Sequence, residues 1–157
     1  MIRRLEAQRA CLASAVEKVE TLPGPYLELG LGNGRTFDHL RETAPDREIF
    51  VFERNPAAHP DCSPAEGFLI EGDFTQTLHR ASVQIKTKAV LAHCDIGSGL
   101  KASDEQLARD ISTDLDALLA VGAVILSDQS FERSNWKPMV LPTNVDSGRY
   151  FMYIKIA

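Results

Sequence analysis

Three glycines lie at alternate positions directly after an acidic residue in the first quarter of the sequence. Gly30, Gly32 and Gly34 follow Glu28, at the end of an apolar run over 26–29. Because glycine has no Cβ, such a segment can turn sharply and let a ligand approach the backbone closely. A helix that begins after the loop offers free N–H groups and a partly positive end. The stretch therefore predicts a ligand-binding loop in which glycine supplies space rather than reactivity.

Three further acidic residues end apolar runs of strand length. They are Glu53, Asp73 and Asp95, and with Glu28 they mark the ends of the first four predicted strands. One carboxylate after a strand is often only a helix cap. Parallel strands, however, bring their carboxyl ends to one edge, where open α/β sheets bind ligands, and a carboxylate about 20 residues beyond the loop can accept hydrogen bonds from ribose hydroxyls. The four acids together predict a nucleoside site.

The apolar runs that carry these residues alternate with helical patterns. Strands are predicted at 26–29, 48–53, 67–72 and 88–96 and from 122 onward, and helices at 35–44, 74–85 and 103–120. Ser103 and Gln106 have the spacing of a capping box at the start of the last helix. Repeated strand, helix, strand units imply right-handed crossovers and a parallel sheet with helices on both faces.

Three segments lie outside this alternation. Apolar residues at helical spacing predict an amphipathic N-terminal helix over 1–21. The segment 54–67 contains three prolines and is predicted to be a loop. The runs 137–143 and 148–157 are joined by a short polar stretch, which predicts an antiparallel hairpin at one edge of the sheet.

Composition limits the class of protein. A chain of 157 residues fits one domain, predicted over 1–157 with its core at 26–157. The net charge of −5 disfavours broad capture of nucleic acid by charge. The first residues are too charged for a signal peptide, and the longest apolar stretch is too short for a membrane span. Three widely spaced cysteines without a CxxC pair favour reduced thiols. We therefore expect a cytoplasmic protein that binds neither nucleic acid nor membrane.

The segment 28–34 resembles the ExGxGxG motif of the class I S-adenosyl-L-methionine-dependent methyltransferases. The strand order from about residue 26 to the end also resembles that family, whose sheet closes with an antiparallel final strand. The resemblance implies an α/β fold, a Rossmann-like three-layer αβα sandwich with a mostly parallel sheet and an antiparallel C-terminal hairpin. It also implies S-adenosyl-L-methionine as cofactor and methyl transfer as the activity.

Matched by position, the resemblance implies a set of residues around the cofactor. The methionine and ribose would be lined by Gly30, Leu31, Gly32 and Gly34, with Glu28 near the ammonium group and Asn33, Arg35 and Thr36 close by. Glu53 matches the acid that binds the ribose hydroxyls and Asp73 the acid that receives the adenine amino group. Phe74 matches an apolar wall beside the ring, Arg54 could cover adenine, and Asp95 completes the row of acids.

Two alternatives remain open for the bound nucleotide and for the role of the chain. A dinucleotide-binding GxGxxG fingerprint requires glycine at position 35, where this sequence has Arg35. The acid at Glu28 would also repel a pyrophosphate, so S-adenosyl-L-methionine is favoured over NAD. A non-catalytic sensor or assembly subunit that binds the same nucleoside is the other alternative, because no residue can be named as catalytic. Transfer from an activated sulfonium depends mainly on positioning.

The sequence after the fourth strand bears on the methyl acceptor. Many amino-group and base methyltransferases carry Asp or Asn there, followed by two prolines and an aromatic residue. Asp95 matches the first position, but Ile96, Gly97 and Ser98 do not continue the motif. This departure and the acidic net charge favour a small-molecule acceptor. We also expect a homo-oligomer, because little sequence is left over to cover the acceptor.

A metal site has partial support. Asp95, Asp128 and Gln129 loosely resemble the cation ligands of catechol-type O-methyltransferases, and hard oxygen ligands suit magnesium. The consecutive residues His93, Cys94 and Asp95 cannot converge on one ion, because neighbouring strand residues point to opposite faces. We therefore predict no metal ligands in that run and a buried, hydrogen-bonded His93.

Four aromatic residues in the tail could shape a pocket or pack the sheet: Trp136, Tyr150, Phe151 and Tyr153.

Overall fold

The structure, a computed structural model, describes residues 2–157. Within that range, none of the helices has the length and the apolar character that crossing a membrane requires. In chain order the described elements are α1 (Ile2–Lys18), β1 (Tyr26–Leu29), α2 (Arg35–Thr43), β2 (Ile49–Glu53), a 3-10 turn (Pro60–Cys62), β3 (Leu69–Glu71), α3 (Phe74–Arg80), a 3-10 turn (Ala81–Val83), β4 (Ala89–Cys94), α4 (Lys101–Leu118), β5 (Leu119–Ser127), β6 (Trp136–Pro138) and β7 (Phe151–Lys155).

The strands form one mixed sheet in the order β3, β2, β1, β4, β5, β7, β6. Strands β1 to β5 run parallel, whereas β7 is antiparallel to both β5 and β6. The chain moves outward from β1 to β3 and then returns to the other side of β1 with β4. Open α/β sheets bind ligands at such a switch point, beyond the carboxyl ends of the strands. The predicted α/β fold with an antiparallel C-terminal hairpin is confirmed.

Helices cover both faces of this sheet and give three layers. On one face α3 and α4 pack on a core that includes Leu27, Phe52 and Ile111. On the other face α1 and α2 pack on a second core that includes Leu12 and Leu126. The central strands are buried on both sides, which explains why their sequences are almost continuously apolar.

The predicted capping box at the start of α4 is wrong. The helix begins at Lys101, and the Ser103 hydroxyl donates to the carbonyl oxygen of Leu100 at 3.0 Å. Asp104, in the first turn, instead accepts hydrogen bonds from the backbone N–H groups of Ser98 and Gly99. A hydrogen bond from the Ser98 hydroxyl, followed by these backbone bonds, lowers the pKa of Asp104 despite the opposing effect of burial. A charged acceptor for the preceding loop therefore replaces the neutral cap.

Other boundaries also differ from the prediction. Helix α1 ends at Lys18, and residue 1 of the predicted helix lies outside the described residues. Helix α3 ends at Arg80 and tightens into a 3-10 turn, while β5 begins directly after α4. Strand β6 is short, so residues 139–150 form a longer connection to β7 than predicted. The predicted loop at 54–67 is confirmed, with one 3-10 turn inside it.

The backbone of Gly30 provides a sharp test of this packing. Gly30 has a φ of +92°, and a Cβ at this position would overlap the carbonyl oxygen of Asp95. Gly32 has a φ of +53°, and no described atom lies within 4 Å of the position that its Cβ would take. Gly30→Ala should lower the free energy of unfolding by about 3 kcal/mol or more, because strain and overlap add. Gly32→Ala should cost only about 1 to 2 kcal/mol.

Urea unfolding of the two variants beside the wild type measures this difference. Equal losses for Gly30→Ala and Gly32→Ala would show that contact with Asp95 does not restrict position 30.

Candidate functional site

The carboxyl ends of the central strands continue in register for one more residue. Gly30 N donates to the carbonyl oxygen of Phe52 at 2.8 Å. Asp95 N donates to Leu29 O at 2.9 Å, and Asp128 N donates to Cys94 O at 3.1 Å. These bonds align the first residues beyond β1, β4 and β5 at one edge of the sheet. The predicted convergence of strand ends is therefore present.

The glycine loop is tied to the end of β2 through a carboxylate. The backbone N–H groups of Leu31 and Gly32 donate to Glu53 Oε1 at 2.9 and 3.2 Å. The N–H of Asn55 donates to Oε2 of the same side chain at 3.0 Å. These bonds hold the half-buried Glu53 against the loop, as its position in the sequence predicts.

Helix α2 begins immediately after the loop. Gly34 has a φ of +83°, and a Cβ there would overlap the carbonyl oxygen of Cys62. Asn33 Oδ1 accepts from the N–H of Arg35 at 3.1 Å. Arg35 is exposed and Thr36 half-buried, so both lie at the surface of the helix start.

The ends of β2 and β3 bring a second group together. The guanidinium of Arg54 lies 3.1 Å from Asp73 Oδ1, and both side chains are more than half exposed. Phe74, half-buried, begins α3 directly after Asp73. Glu53, Arg54, Asp73 and Phe74 therefore share the β2 and β3 side of the carboxyl edge.

On the other side of β1, two carboxylates meet an arginine from α1. Arg4 Nη2 lies 2.8 Å from Asp95 Oδ1 and 3.7 Å from Asp128 Oδ2. Asp128 also accepts from the N–H groups of Ile96 and Gly97, at 3.2 and 2.9 Å. Burial and the nearby charge of Asp95 raise the pKa of Asp128 to about 6, against the lowering effect of those N–H groups.

Below this edge, four polar side chains form a buried network. His93 Nδ1 lies 2.8 Å from Glu28 Oε1, and its Nε2 is hydrogen-bonded to the hydroxyl of Tyr150. Gln8 of α1 places its amide nitrogen 3.3 Å from His93 Nε2 and 3.5 Å from the Tyr150 oxygen. The predicted buried and hydrogen-bonded His93 is confirmed. Glu28 is fully buried, and its Oε2 has no hydrogen-bond partner in the described part of the chain.

Three members of these clusters were not identified from the sequence: Arg4, Gln8 and Tyr150. The first two are four residues apart on α1, so they share the helix face that packs on the sheet. A glutamine and an arginine on an otherwise apolar helix face were the available signal. Tyr150 was singled out only as an aromatic residue, because its partner His93 is distant in the chain.

The other tail aromatics pack on the opposite face. Trp136 and Tyr153 contact Phe131 in the α4 core, and Trp136 Nε1 donates to Asp116 at 2.7 Å. Phe151 packs beside the same core. These three side chains therefore pack the sheet, and only Tyr150 faces the carboxyl edge.

Comparison with known proteins identifies the family. The model of a family described as S-adenosyl-L-methionine methyltransferase matches residues 1–155. The chain belongs to that family. A crystal structure of an S-adenosyl-L-methionine methyl transferase from Silicibacter pomeroyi DSS-3 is 40% identical, with a TM-score of 0.90, and the match covers 98% of this chain and 95% of that one. The cofactor of this family member is S-adenosyl-L-methionine, and NAD is thereby set aside as the ligand of the loop.

More distant solved structures share the fold. CalS11, a TDP-rhamnose 3′-O-methyltransferase of calicheamicin biosynthesis, is 17% identical, with a TM-score of 0.65 over 96% of this chain and 79% of that one. MycE of the mycinamycin pathway, solved with Mg and SAH, is 11% identical, with a TM-score of 0.62 over 98% of this chain and 47% of that one. No curated protein matches the sequence.

The arrangement around Asp95 and Asp128 bears on the metal hypothesis for this methyltransferase. The carboxylates of Asp95 and Asp128 are close enough to share one cationic partner, and the guanidinium of Arg4 lies between them as that partner. Gln129 lies beside Asp128 at Gly97. Among residues 2–157, no group of three or more His, Cys, Asp or Glu side chains is arranged to hold a metal ion.

The raised pKa of Asp128 predicts a pH-dependent effect of removing its charge. The folded pKa of about 6 lies above the ordinary value of 3.8, so the wild type loses stability as pH rises from about 4 to 6. Asp128→Asn cannot lose stability in this way. The free energy of unfolding of the variant relative to the wild type should therefore increase by about 1 to 2 kcal/mol between pH 4.5 and 7.5. Urea unfolding at both pH values measures it, and a pH-independent difference would contradict the assignment.

Proposed function

We propose that the chain transfers a methyl group from S-adenosyl-L-methionine to a small-molecule acceptor. The observation that carries the proposal is the glycine loop held against Glu53 at the switch point of the sheet. The carboxylate, the bare backbone and the start of α2 together suit a nucleoside with an amino acid attached. The non-catalytic alternative predicts the same binding without turnover.

The nucleoside would lie along the ends of β2 and β3. Glu53 would exchange its bonds with the loop N–H groups for bonds with the two ribose hydroxyls. Asp73 would receive the adenine amino group, while Phe74 and the stem of Arg54 would contact the ring. The ion pair between Arg54 and Asp73 is exposed, so opening it for a ligand costs little.

The methionine end would lie over the loop itself. Gly32 leaves open space where another residue would place a side chain, since no described atom lies within 4 Å of its Cβ position. Glu28 Oε2 is a buried carboxylate oxygen that lacks a partner among residues 2–157, and a ligand ammonium would satisfy it. These two observations fit the cofactor. Gly30, Leu31, Gly34, Asn33, Arg35, Thr36 and Asp95 would complete the surroundings.

A cavity between α1 and α2 supports the small size of the acceptor. Its volume is about 300 Å³, at the lower end of the range for small-molecule pockets. Arg35 and Thr36 line it directly after the glycine loop, and Gln8 lines it from α1. Leu5 and Leu12 add an apolar side. When bound, the cofactor supplies a methyl group on a sulfonium, so the contribution of the protein is to orient the acceptor.

The role of Glu53 can be tested by binding. Glu53→Ala should weaken S-adenosylhomocysteine binding about 10- to 100-fold, because charge-assisted hydrogen bonds to the ribose are lost. Glu48→Ala is the matched control, because Glu48 is exposed and directly precedes the opposite end of the same strand. Isothermal titration calorimetry measures both. Unchanged affinity in Glu53→Ala would refute the ribose assignment, and wild-type binding of NAD but not of S-adenosylhomocysteine would refute the site as a whole.

Catalysis can be separated from sensing with a labelled methyl donor. We expect transfer of label to a member of a small-molecule acceptor panel, and unchanged turnover on adding magnesium. Binding of the donor without turnover on any acceptor, beside an active control methyltransferase, would favour the sensor.

The homo-oligomer expected from the sequence stays a prediction. Light scattering after size exclusion would measure the molar mass in solution and so test it.

A further inference from the structure

Four polar side chains from separate parts of the chain meet in the layer between the sheet and α1. They are Glu28 of β1, His93 of β4, Tyr150 before β7 and Gln8 of α1, and the most exposed of them is 8% accessible. Glu28 and His93 are register partners on adjacent strands, so their side chains leave the same face of the sheet. Leu or Val would fill such a layer at lower cost, because buried polar groups lose their hydration.

Hydrogen bonds satisfy this network with one exception. His93 uses both ring nitrogens, Nδ1 with Glu28 Oε1 and Nε2 with the Tyr150 hydroxyl, whose oxygen also accepts from the Gln8 amide at 3.5 Å. Glu28 Oε2 alone has no partner within the described residues. A buried carboxylate oxygen is costly to leave unpaired, so a donor from outside the chain would stabilise it. Glu28 lies two residues before Gly30, directly below the glycine loop.

The charge of Glu28 depends on His93. Burial raises the pKa of Glu28, and the charge and the hydrogen bond of His93 offset part of this rise. Burial lowers the pKa of His93, but Glu28, Asp95 and Asp128 outweigh that effect and raise it. Arg4 is the charged group of α1 at this edge, where it contacts Asp95 and Asp128. His93 therefore acts in favour of the charged carboxylate of Glu28, and only an ionised carboxylate attracts a cation.

We propose that His93 is a positioning residue that fixes Glu28 through Oε1 and leaves Oε2 for the ammonium group of the cofactor, while Tyr150, itself held by Gln8, holds the second nitrogen of His93. The proposal rests on the proposed function, because it uses the same methionine end of the site. It also makes α1 part of that site, since Gln8 contacts the network on one side and the cavity between α1 and α2 on the other.

The test compares two ligands that differ only in the ammonium group. One is S-adenosylhomocysteine, and the other is its analogue without the α-amino group. Wild type should bind the first at least about 10-fold more tightly, the size of a charge-assisted hydrogen bond. His93→Leu should bring this ratio close to one by weakening S-adenosylhomocysteine alone. His93→Asn, which keeps a donor near Glu28, should restore part of the ratio, and Tyr150→Phe should reduce it less than His93→Leu.

Thr77→Val is the matched control, because Thr77 is fully buried in α3 and lies outside the network. It should leave the ligand ratio unchanged. If His93→Leu does not fold, as judged by circular dichroism, His93→Asn and Tyr150→Phe carry the test.

Three outcomes would overturn the inference. Equal weakening of both ligands by the foldable variants would show that His93 only supports the fold. Equal affinity of the two ligands for the wild type would show that Glu28 does not contact the ammonium, and would leave the proposed function intact. Binding of neither ligand by the wild type would refute the proposed function as well.

Discussion

The absence of a side chain at Gly30 determines how closely the first and fourth strands can run beyond the sheet. A Cβ there would overlap the carbonyl oxygen of Asp95, so only glycine allows the two chains to leave the sheet side by side. The same residue donates its N–H to Phe52, which fixes β1 against β2 as well. The start of the glycine loop and the first residue after β4 therefore lie side by side because position 30 has no side chain.

The layer below this edge is polar where the rest of the sheet is apolar. Glu28 and His93 occupy central strands whose other residues are apolar, and α1 supplies Gln8 to the same network. Such a network is stable only when each group is satisfied. Glu28 Oε2 has no partner among residues 2–157, and in the proposed arrangement the cofactor ammonium would pair with it, so that the cofactor would add to the stability of the fold that binds it.

The sequence predicted those parts of the site that depend on chain order. Gly32, Glu53 and Asp73 follow strands, and parallel pairing brings strand ends together whatever the helices do. The positions of Arg4, Gln8 and Tyr150 in the site depend on how α1 packs on the sheet and where β7 pairs. These contacts join residues far apart in the sequence, and no local pattern predicts them. The predicted capping box is wrong because Asp104, a charged acceptor, binds the N–H groups of the loop before α4. The length of β6 was also not predictable from its apolar run, because only the three residues that pair with β7 form the strand.

The docking of α1 has a consequence for the order in which the molecule matures. Helix α1 precedes every strand in the chain, yet it makes polar contacts with Asp95, Asp128 and Tyr150, which come much later in the sequence. During synthesis the glycine loop and the first three strands emerge well before Tyr150. The residues proposed for the nucleoside would therefore be synthesised before the network beside Glu28 can close, and full affinity for the donor is expected only once Tyr150 and β7 are in place.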